Sequence, residues 1–457
     1  MRVLLFSTYD LGHQPFGLAS PARWLRQAGA VVDCVDLAIR LFTTAHSLIT
    51  QANLIAFYVP MHTATRLALE AIKRVKRLNP AAHLCAYGLY APLNEAYLRQ
   101  VGVQTILGGE FEQGLVDLYD SLAAQQTSEV SKTSEVYHKT VSLARQQFQL
   151  PDRADLPPLA EYAQVQVGEG TRLVGYTEAS RGCKHTCHHC PIVPVYNGRF
   201  RIIQPDIVLA DIRQQVAAGA QHITFGDPDF LNGPGHAVPI VEALHGEFPE
   251  VTYDVTIKVE HLLQHKRLLP VLRDTGCLFV TSAVEAVDDA ILAILAKGHT
   301  RADFAEVVKL CREVGLVLNP TFVTFTPWTT VQGYAELLAT VANLGLVAHV
   351  APIQYAIRLL LPEGSRLLAR ADVQGWIRPF DPATLVYPWS HPDPRLDELY
   401  ETVFRLVKAN QKSGEARQVH FERVWQAAVA LLLPEAVPLR SDRAADMVVP
   451  TLSESWY

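Results

Sequence analysis

Two long stretches of the chain alternate short apolar runs with segments whose apolar residues recur at intervals of three and four. That alternation limits the fold more than any other feature. In residues 1–125 the runs VLLFS, VVDCVDL, LIAFYV, HLCAYG and QTILGG are rich in β-branched or aromatic residues and short enough to be strands. Between them Pro21–Ala28, Thr65–Leu78 and Asn94–Val101 carry helical spacing. Strand–helix–strand alternation predicts a parallel sheet with helices on both faces, an α/β class.

Five such strands in about 110 residues suit a flavodoxin-like doubly wound domain, in which ligands sit at the carboxyl ends of the strands. Those ends are Thr8–Gly17, Val59–Thr63, Gly88–Pro92 and Gly108–Glu112. Residues 126–171 break the pattern. The tandem TSEVSK–TSEVYHK is followed by QQFQ and PDRADLPP, which reads as a solvated linker without chemistry. Residues 172–360 resume the alternation, with strands at LVGYTEA, HITFGD, YDVTIKV, LFVTSAVEA, LNPTFVTFTP and VAPIQYAIRLL. Helices are expected at Asp206–Ala218, Ala237–Phe248, Glu260–Asp274, Arg301–Val314 and Val331–Leu344. Six strand–helix units fall short of a closed eightfold barrel, so a partial (β/α)6 barrel is expected. Residues 361–457, rich in Pro and Trp and then helical at Pro394–Gln411 and Phe421–Leu432, read as a C-terminal cap.

The composition, 49% hydrophobic and 19% charged, can bury a core and excludes a mostly disordered chain. A net charge of −6 argues against a nucleic-acid partner. No apolar run reaches ~18 residues, so no membrane span is expected. The opening MRVLLFSTYD turns polar too soon for a secretory signal. The expected compartment is the cytoplasm, where thiols stay reduced.

Of seven cysteines, Cys34, Cys85, Cys277 and Cys311 stand singly among apolar residues, whereas Cys183, Cys187 and Cys190 share one loop, EASRGCKHTCHHCPIVPVYNGRFR. Random scattering would give this C-x3-C-x2-C spacing about 0.002 times per chain. Three thiolates in one loop can hold three irons of a cubane cluster and leave the fourth iron open for chemistry. Zinc is the rival, with His185, His188 or His189 as a fourth ligand, although a second cysteine pair is missing. Spacing alone leaves iron–sulfur, zinc and no metal open.

With His189 just before the last cysteine, the loop resembles the signature of radical S-adenosylmethionine (SAM) enzymes, and the resemblance covers most of residues 172–360. It implies a 4Fe-4S cluster on Cys183, Cys187 and Cys190 whose open iron is chelated by SAM, reductive cleavage of SAM to a 5′-deoxyadenosyl radical, and an electron donor such as flavodoxin or ferredoxin as partner. It also implies a SAM site. Gly226, Asp227, Pro228 and Asp229 end the second strand where the family has Gly-Gly-Glu on the methionine amino group; a Pro-containing turn is the local alternative. Glu285 ends the fourth strand and would meet the ribose, or be a helix-N-terminal acid. Lys258 would pair with the SAM carboxylate, or be a solvated strand end. Lys297-Gly298-His299-Thr300 resembles a loop near the adenosine, though a helix-ending Gly followed by a Thr cap explains it locally. Thr326, beside Trp328, ends the fifth strand on the adenine side. No catalytic residue can be named.

A doubly wound domain ahead of such a barrel resembles the cobalamin-dependent subgroup of the family, so cobalamin is expected on Gly12, Gly17, Pro60, Gly108, Gly109 and Glu110. The motif Asp-x-His-x-x-Gly is not met by Asp10-Leu11-Gly12-His13, and no histidine ligand to cobalt is expected. HHCPIVPVYNGRF, HITFGDPDF and LSESWY resemble a bacterial subgroup with a Cys-Cys-Ala-Glu-Pro or selenocysteine tail; that tail is absent from this sequence. The resemblance implies a cobalamin-dependent methyltransferase acting on an unactivated carbon. Two alternatives stand beside it: a radical SAM enzyme without cobalamin, performing rearrangement or peptide modification, and a non-catalytic cluster-bearing binding protein. The substrate is not legible.

Overall fold

The computed structural model describes residues 1–127, 140–432 and 449–453. The first sheet contains β1 (Arg2–Ser7), β2 (Val31–Asp36), β3 (Leu54–Tyr58), β4 (His83–Tyr87), β5 (Thr105–Gly109) and β6 (Val141–Ser142), in the order β2-β1-β3-β4-β5-β6, every pair parallel. Because successive side chains point to opposite faces, Leu4 and Phe6 enter one core with Phe57 and Ile72, while Val3 and Leu5 enter another with Leu25, Tyr87 and Leu115. Helices Phe16–Gln27, His62–Leu78 and Glu112–Thr127 follow β1, β3 and β5. Each large side chain so buried is worth about 1.5–3 kcal/mol. The strand order places a topological switch point between β1 and β3, where ligands collect in sheets of this kind.

The second sheet is an open half-barrel. It is built from β7 (Gln164–Val167), β8 (Gly170–Thr177), β11 (His222–Phe225), β12 (Thr252–Thr256), β13 (Cys277–Glu285), β14 (Val317–Phe322) and β15 (Thr451–Leu452). A short antiparallel hairpin, β9 (Ser180–Gly182) and β10 (Phe200–Ile202), stands apart from it. The order is β14-β13-β12-β11-β8-β7-β15, parallel from β8 to β14 and antiparallel at β7 and β15. The sixth expected strand is reduced to a bridge, with Phe325 N–H donating to Ile357 and Leu359 N–H donating to Phe325. Pro352 opens a 3-10 helix through Ala356 instead. The helix expected over Glu260–Asp274 is divided into Val259–Gln264, a 3-10 turn and Leu269–Asp274, with Pro270 in the first turn of the last piece. In the cap, helices Pro394–Ser413 and Arg417–Val429 pack on the barrel through Val403, Phe421 and Val424.

The reading of residues 126–171 as a solvated linker is corrected over its described part; beyond Thr127 the TSEVSK–TSEVYHK duplication lies outside the described residues. Phe148, Leu156, Leu159 and Tyr162 are buried. Arg153 donates to both oxygens of Asp211 at 2.8 and 2.9 Å, to the Tyr176 carbonyl at 2.7 Å and to Gln14 at 2.6 Å. Tyr162 donates to Asp36 at 3.0 Å, and Ala163 N–H donates to the Gly12 carbonyl. The polar composition of the segment hid a few apolar anchors and one arginine that fastens both sheets. No helix of the described residues is long and apolar enough to cross a membrane.

Candidate functional site

The hairpin β9–β10 pins both ends of the cysteine loop, pairing Gly182 with Phe200. Gly182 has φ +76°, and a Cβ there would strike the Tyr196 ring and lie 2.5 Å from the Arg199 carbonyl oxygen, so only glycine fits. Cys183, Cys187 and Cys190 line one cavity of about 110 Å³ together with Pro228, Asp229, Lys258, Glu285 and Lys297. Burial pushes the Cys183 thiol up and the Cys190 thiol up to about 12. These thiols therefore need a bound cation to become thiolates. The neighbouring histidines bond other groups, His188 Nδ1 with the Ile294 carbonyl at 2.8 Å, His189 Nε2 with Glu285 at 3.1 Å, and His185 with Lys258 at 3.0 Å and His261 at 3.2 Å; His189 Nδ1 is buried without a partner, but among the described residues no histidine nitrogen groups with the cysteine sulfurs. The donor set thus fits three cysteinyl ligands and an open fourth position better than a closed Cys3His zinc site. Cys34, Cys85, Cys277 and Cys311 are buried in the hydrophobic cores.

The strand-end residues singled out in the sequence divide among several positions. Asp229 Oδ1 caps Leu231 N–H at 3.2 Å, while Oδ2 lies 2.8 Å from His261 Nδ1 without hydrogen-bond alignment. Asp229, His185 and His261 form a compact group of potential ligand atoms beside the cysteines. Lys258 bonds Glu260 at 2.9 Å and is buried, not solvated. Glu285 lies at a register shift of β13 against β14 with φ +69°, an uncommon conformation for a non-glycine residue. Burial raises its carboxyl, but Lys297 at 3.3 Å and His189 outweigh this and hold it down at about 2. Lys297 precedes Gly298, and Thr300 does cap the next helix, forming a capping box with Asp303. Thr326 lines neither this cavity nor the one described next; its hydroxyl bonds Thr329 at 2.9 Å.

Gly226 and Asp227 line a second cavity, of about 350 Å³, between the two sheets. A Cβ on Gly226 would collide with the Tyr176 hydroxyl. Asp227 accepts from Ala179 N–H at 2.9 Å and Ser180 Oγ at 2.5 Å, bracing the entry to the cysteine loop. The cavity is walled by Asp10, His13, Tyr58, Pro60 and Gly109 from the first domain and by Tyr176, Glu178, Arg181 and Asp254 from the half-barrel. It shares Ile192, Thr256 and Pro228 with the cysteine cavity. His13 stacks on Tyr176 with ring centroids 4.9 Å apart, and burial lowers it to about 4. Gly17 faces the Tyr58 ring and Gly108 packs on Pro92, so these two glycines serve close packing, while Gly12, at φ +73°, accepts from Ala163 N–H of the connecting segment. A cavity of about 600 Å³ beside Trp24, Glu110 and Asp117 shares no lining residue with the cysteine cavity.

Glu110 turns to Tyr196 at 3.1 Å and toward Arg181. Arg181 is the main residue the sequence reading missed. Two positions before Cys183, it bonds Glu112 at 2.8 and 3.0 Å and Glu178 at 2.5 Å, with Phe111 beneath its guanidinium. It thereby ties the end of β5 to the start of the cysteine loop. The sequence signal was an arginine between two small residues, Ser180 and Gly182, just ahead of the first cysteine of the loop.

Residues 177–337 match the Radical SAM superfamily. The ribosomal protein uS12 methylthiotransferase RimO of Parabacteroides distasonis is 27% identical over 198 residues, 40% of this chain and 44% of that protein. The tRNA-2-methylthio-N(6)-dimethylallyladenosine synthase of Desulfosudis oleivorans is 26% identical over 184 residues, 38% of this chain and 39% of that protein. The chain spans less than half the length of these curated relatives. Two solved structures share the fold over a larger part. The cobalamin-dependent SAM radical enzyme OxsB, with aqua-cobalamin bound, has a TM-score of 0.69 at 14% identity, covering 92% of this chain and 72% of that one. The radical SAM methyltransferase TsrM of Kitasatospora setae, with tryptophan and a SAM analogue, has a TM-score of 0.58 at 17% identity, covering 75% and 71%. With three cysteines on one pinned loop at the carboxyl ends of a parallel half-barrel, the chain carries a radical SAM domain.

Proposed function

We propose that the chain is a cobalamin-dependent radical SAM methyltransferase, with SAM and the cluster in the cysteine cavity and a corrinoid in the cavity between the sheets. One observation carries the reading. The two cavities are neighbours that share the walls Ile192, Thr256 and Pro228, so groups bound in each would face one another across a single layer of side chains. OxsB and TsrM share this fold and their structures hold cobalamin, which supports the corrinoid part of the reading.

Cys183, Cys187 and Cys190 would hold the cluster. The smaller cavity carries two acids, Asp229 and Glu285, and two lysines, Lys258 and Lys297, which suits a zwitterionic methionine moiety. Asp229 would accept from its ammonium, Lys258 would pair with its carboxylate, and Glu285 would accept from a ribose hydroxyl. Pro60 and Gly109 would flank the corrinoid; its fit rests on the switch-point position and on a buried acid oxygen of Asp10 without a partner. When bound, the cluster supplies the electron that cleaves SAM and the corrinoid a transferable methyl group. The chain's own work is to hold both, to exclude water, and to receive an external electron donor. Anaerobic reconstitution with iron, sulfide and hydroxocobalamin, followed by quantitation of each and of 5′-deoxyadenosine, tests the reading. Stoichiometric iron and corrinoid with SAM turnover are expected. One zinc without iron would end it, and iron without corrinoid would leave a radical SAM enzyme of another reaction.

A further inference from the structure

Asp10 follows β1 at the switch point between β1 and β3 and lines the cavity between the sheets. It is 7% exposed, yet among the described residues its Oδ2 has no hydrogen-bond partner. The other acids around it are satisfied: Asp227 by Ser180 and Ala179, Asp254 by His222 and Thr224, Glu178 by Arg181, and Asp36 by Tyr162 and Ala38. Burial, with Glu178 and Asp36 adding repulsion, pushes the Asp10 carboxyl well above the usual range. A buried polar group left without a partner destabilises the empty fold, so its presence calls for a bound group that satisfies it.

An anion is a poor candidate. The cavity holds four acids, Asp10, Glu178, Asp227 and Asp254, and its one arginine is already shared by Glu112 and Glu178. A neutral primary carboxamide fits, since it brings N–H donors for a carboxylate and a carbonyl acceptor for a carboxylic acid, matching Asp10 in either state. Carboxamides are the groups that rim a corrin ring. We propose that Asp10 is a ligand-recognition residue whose carboxyl binds a carboxamide on the rim of a corrinoid seated in this cavity. The inference rests on the corrinoid reading above and goes beyond it by assigning the contact to one side chain that would otherwise weaken the fold.

The test is titration of the full chain, reconstituted with iron and sulfide, by hydroxocobalamin, read from the corrinoid absorbance, alongside thermal melts of the corrinoid-free protein. Asp10→Leu is expected to weaken hydroxocobalamin binding by about tenfold or more, the loss of one buried hydrogen bond. Asp10→Asn, which keeps the shape and puts an amide in place of the carboxyl, should fall between it and the parent. The corrinoid-free Asp10→Leu protein should melt higher than the parent, because the unsatisfied acid is gone. Unchanged hydroxocobalamin affinity in Asp10→Leu overturns the proposal and leaves the corrinoid reading standing. A lower melting temperature in both variants without corrinoid also overturns it, since the carboxyl would then serve the fold. Absence of binding in the parent chain removes the corrinoid reading and the proposal together.

Discussion

The two cavities differ in how their charges are settled. Around the cysteines, Glu285 pairs with Lys297 and His189, and Glu260 with Lys258 and His185, so acids and bases balance within a few ångströms. Between the sheets, acids outnumber bases, and one arginine is shared among three carboxylates. A balanced pocket can receive a ligand carrying both charges without a large change in electrostatic energy. An acid-rich pocket of largely buried side chains rejects anions and gains from hydrogen-bond donors. The contrast separates two pockets whose linings the order of the chain interleaves, because β12 and the cysteine loop contribute to both walls.

The largest effect should come from the cysteine side. Replacing Cys183, Cys187 or Cys190 singly with Ala should abolish SAM cleavage and strip iron with little change in the melt, whereas Cys34, Cys85, Cys277 and Cys311 should be dispensable for iron. Iron assay and 5′-deoxyadenosine release read both. The seam between the cavities comes next. Arg181→Met leaves Glu110, Glu112 and Glu178 without their shared cation and should cost about 3–5 kcal/mol in denaturant unfolding. A loss below about 1 kcal/mol would show that the seam is not a buried ion cluster in solution.

Within the balanced pocket, Asp229→Asn and Glu285→Gln should each weaken equilibrium SAM binding by about 1.5–3 kcal/mol while iron is retained. Lower stability with unchanged affinity would instead give Asp229 to its Leu231 cap and Glu285 to its strand bulge. The last effect is a slope with pH. Burial pushes Asp227 and Glu110 up to about 7, above their ordinary carboxylate values. The folded state therefore binds their protons more tightly than the unfolded chain. Stability is full below about pH 4 and is lost as pH rises toward about 7, at about 1.4 kcal/mol per pH unit for each group. Asp227→Asn with Glu110→Gln should flatten the melting temperature between pH 5 and 7; an unchanged slope would assign the effect to other groups.

What could be read from the sequence was local or periodic. The cysteine loop is legible because its three ligands fall within eight residues. Pro228, Asp229, Lys258 and Glu285 are legible as a group because parallel strands bring their carboxyl ends to one side, and all four line one cavity. The glycines of the first domain were harder to read. Glycine marks a close approach without saying to what, and at Gly17 and Gly108 the neighbour is this chain's own Tyr58 or Pro92. Arg181 and Asp10 could not be found that way, since their meaning lies in partners gained or missing across domains. The sixth strand failed because an apolar run does not reveal that Pro352 starts a helical turn.

Residues 153–163 grip Gln14, Gly12 and Asp36 on one side and Asp211 and Tyr176 on the other. They act as a spacer of fixed thickness. The gap between the sheets is held in part by a stretch of chain that belongs to neither sheet. Adding or removing a residue there would change that gap as surely as replacing a side chain in the cavity, while every wall residue stayed the same.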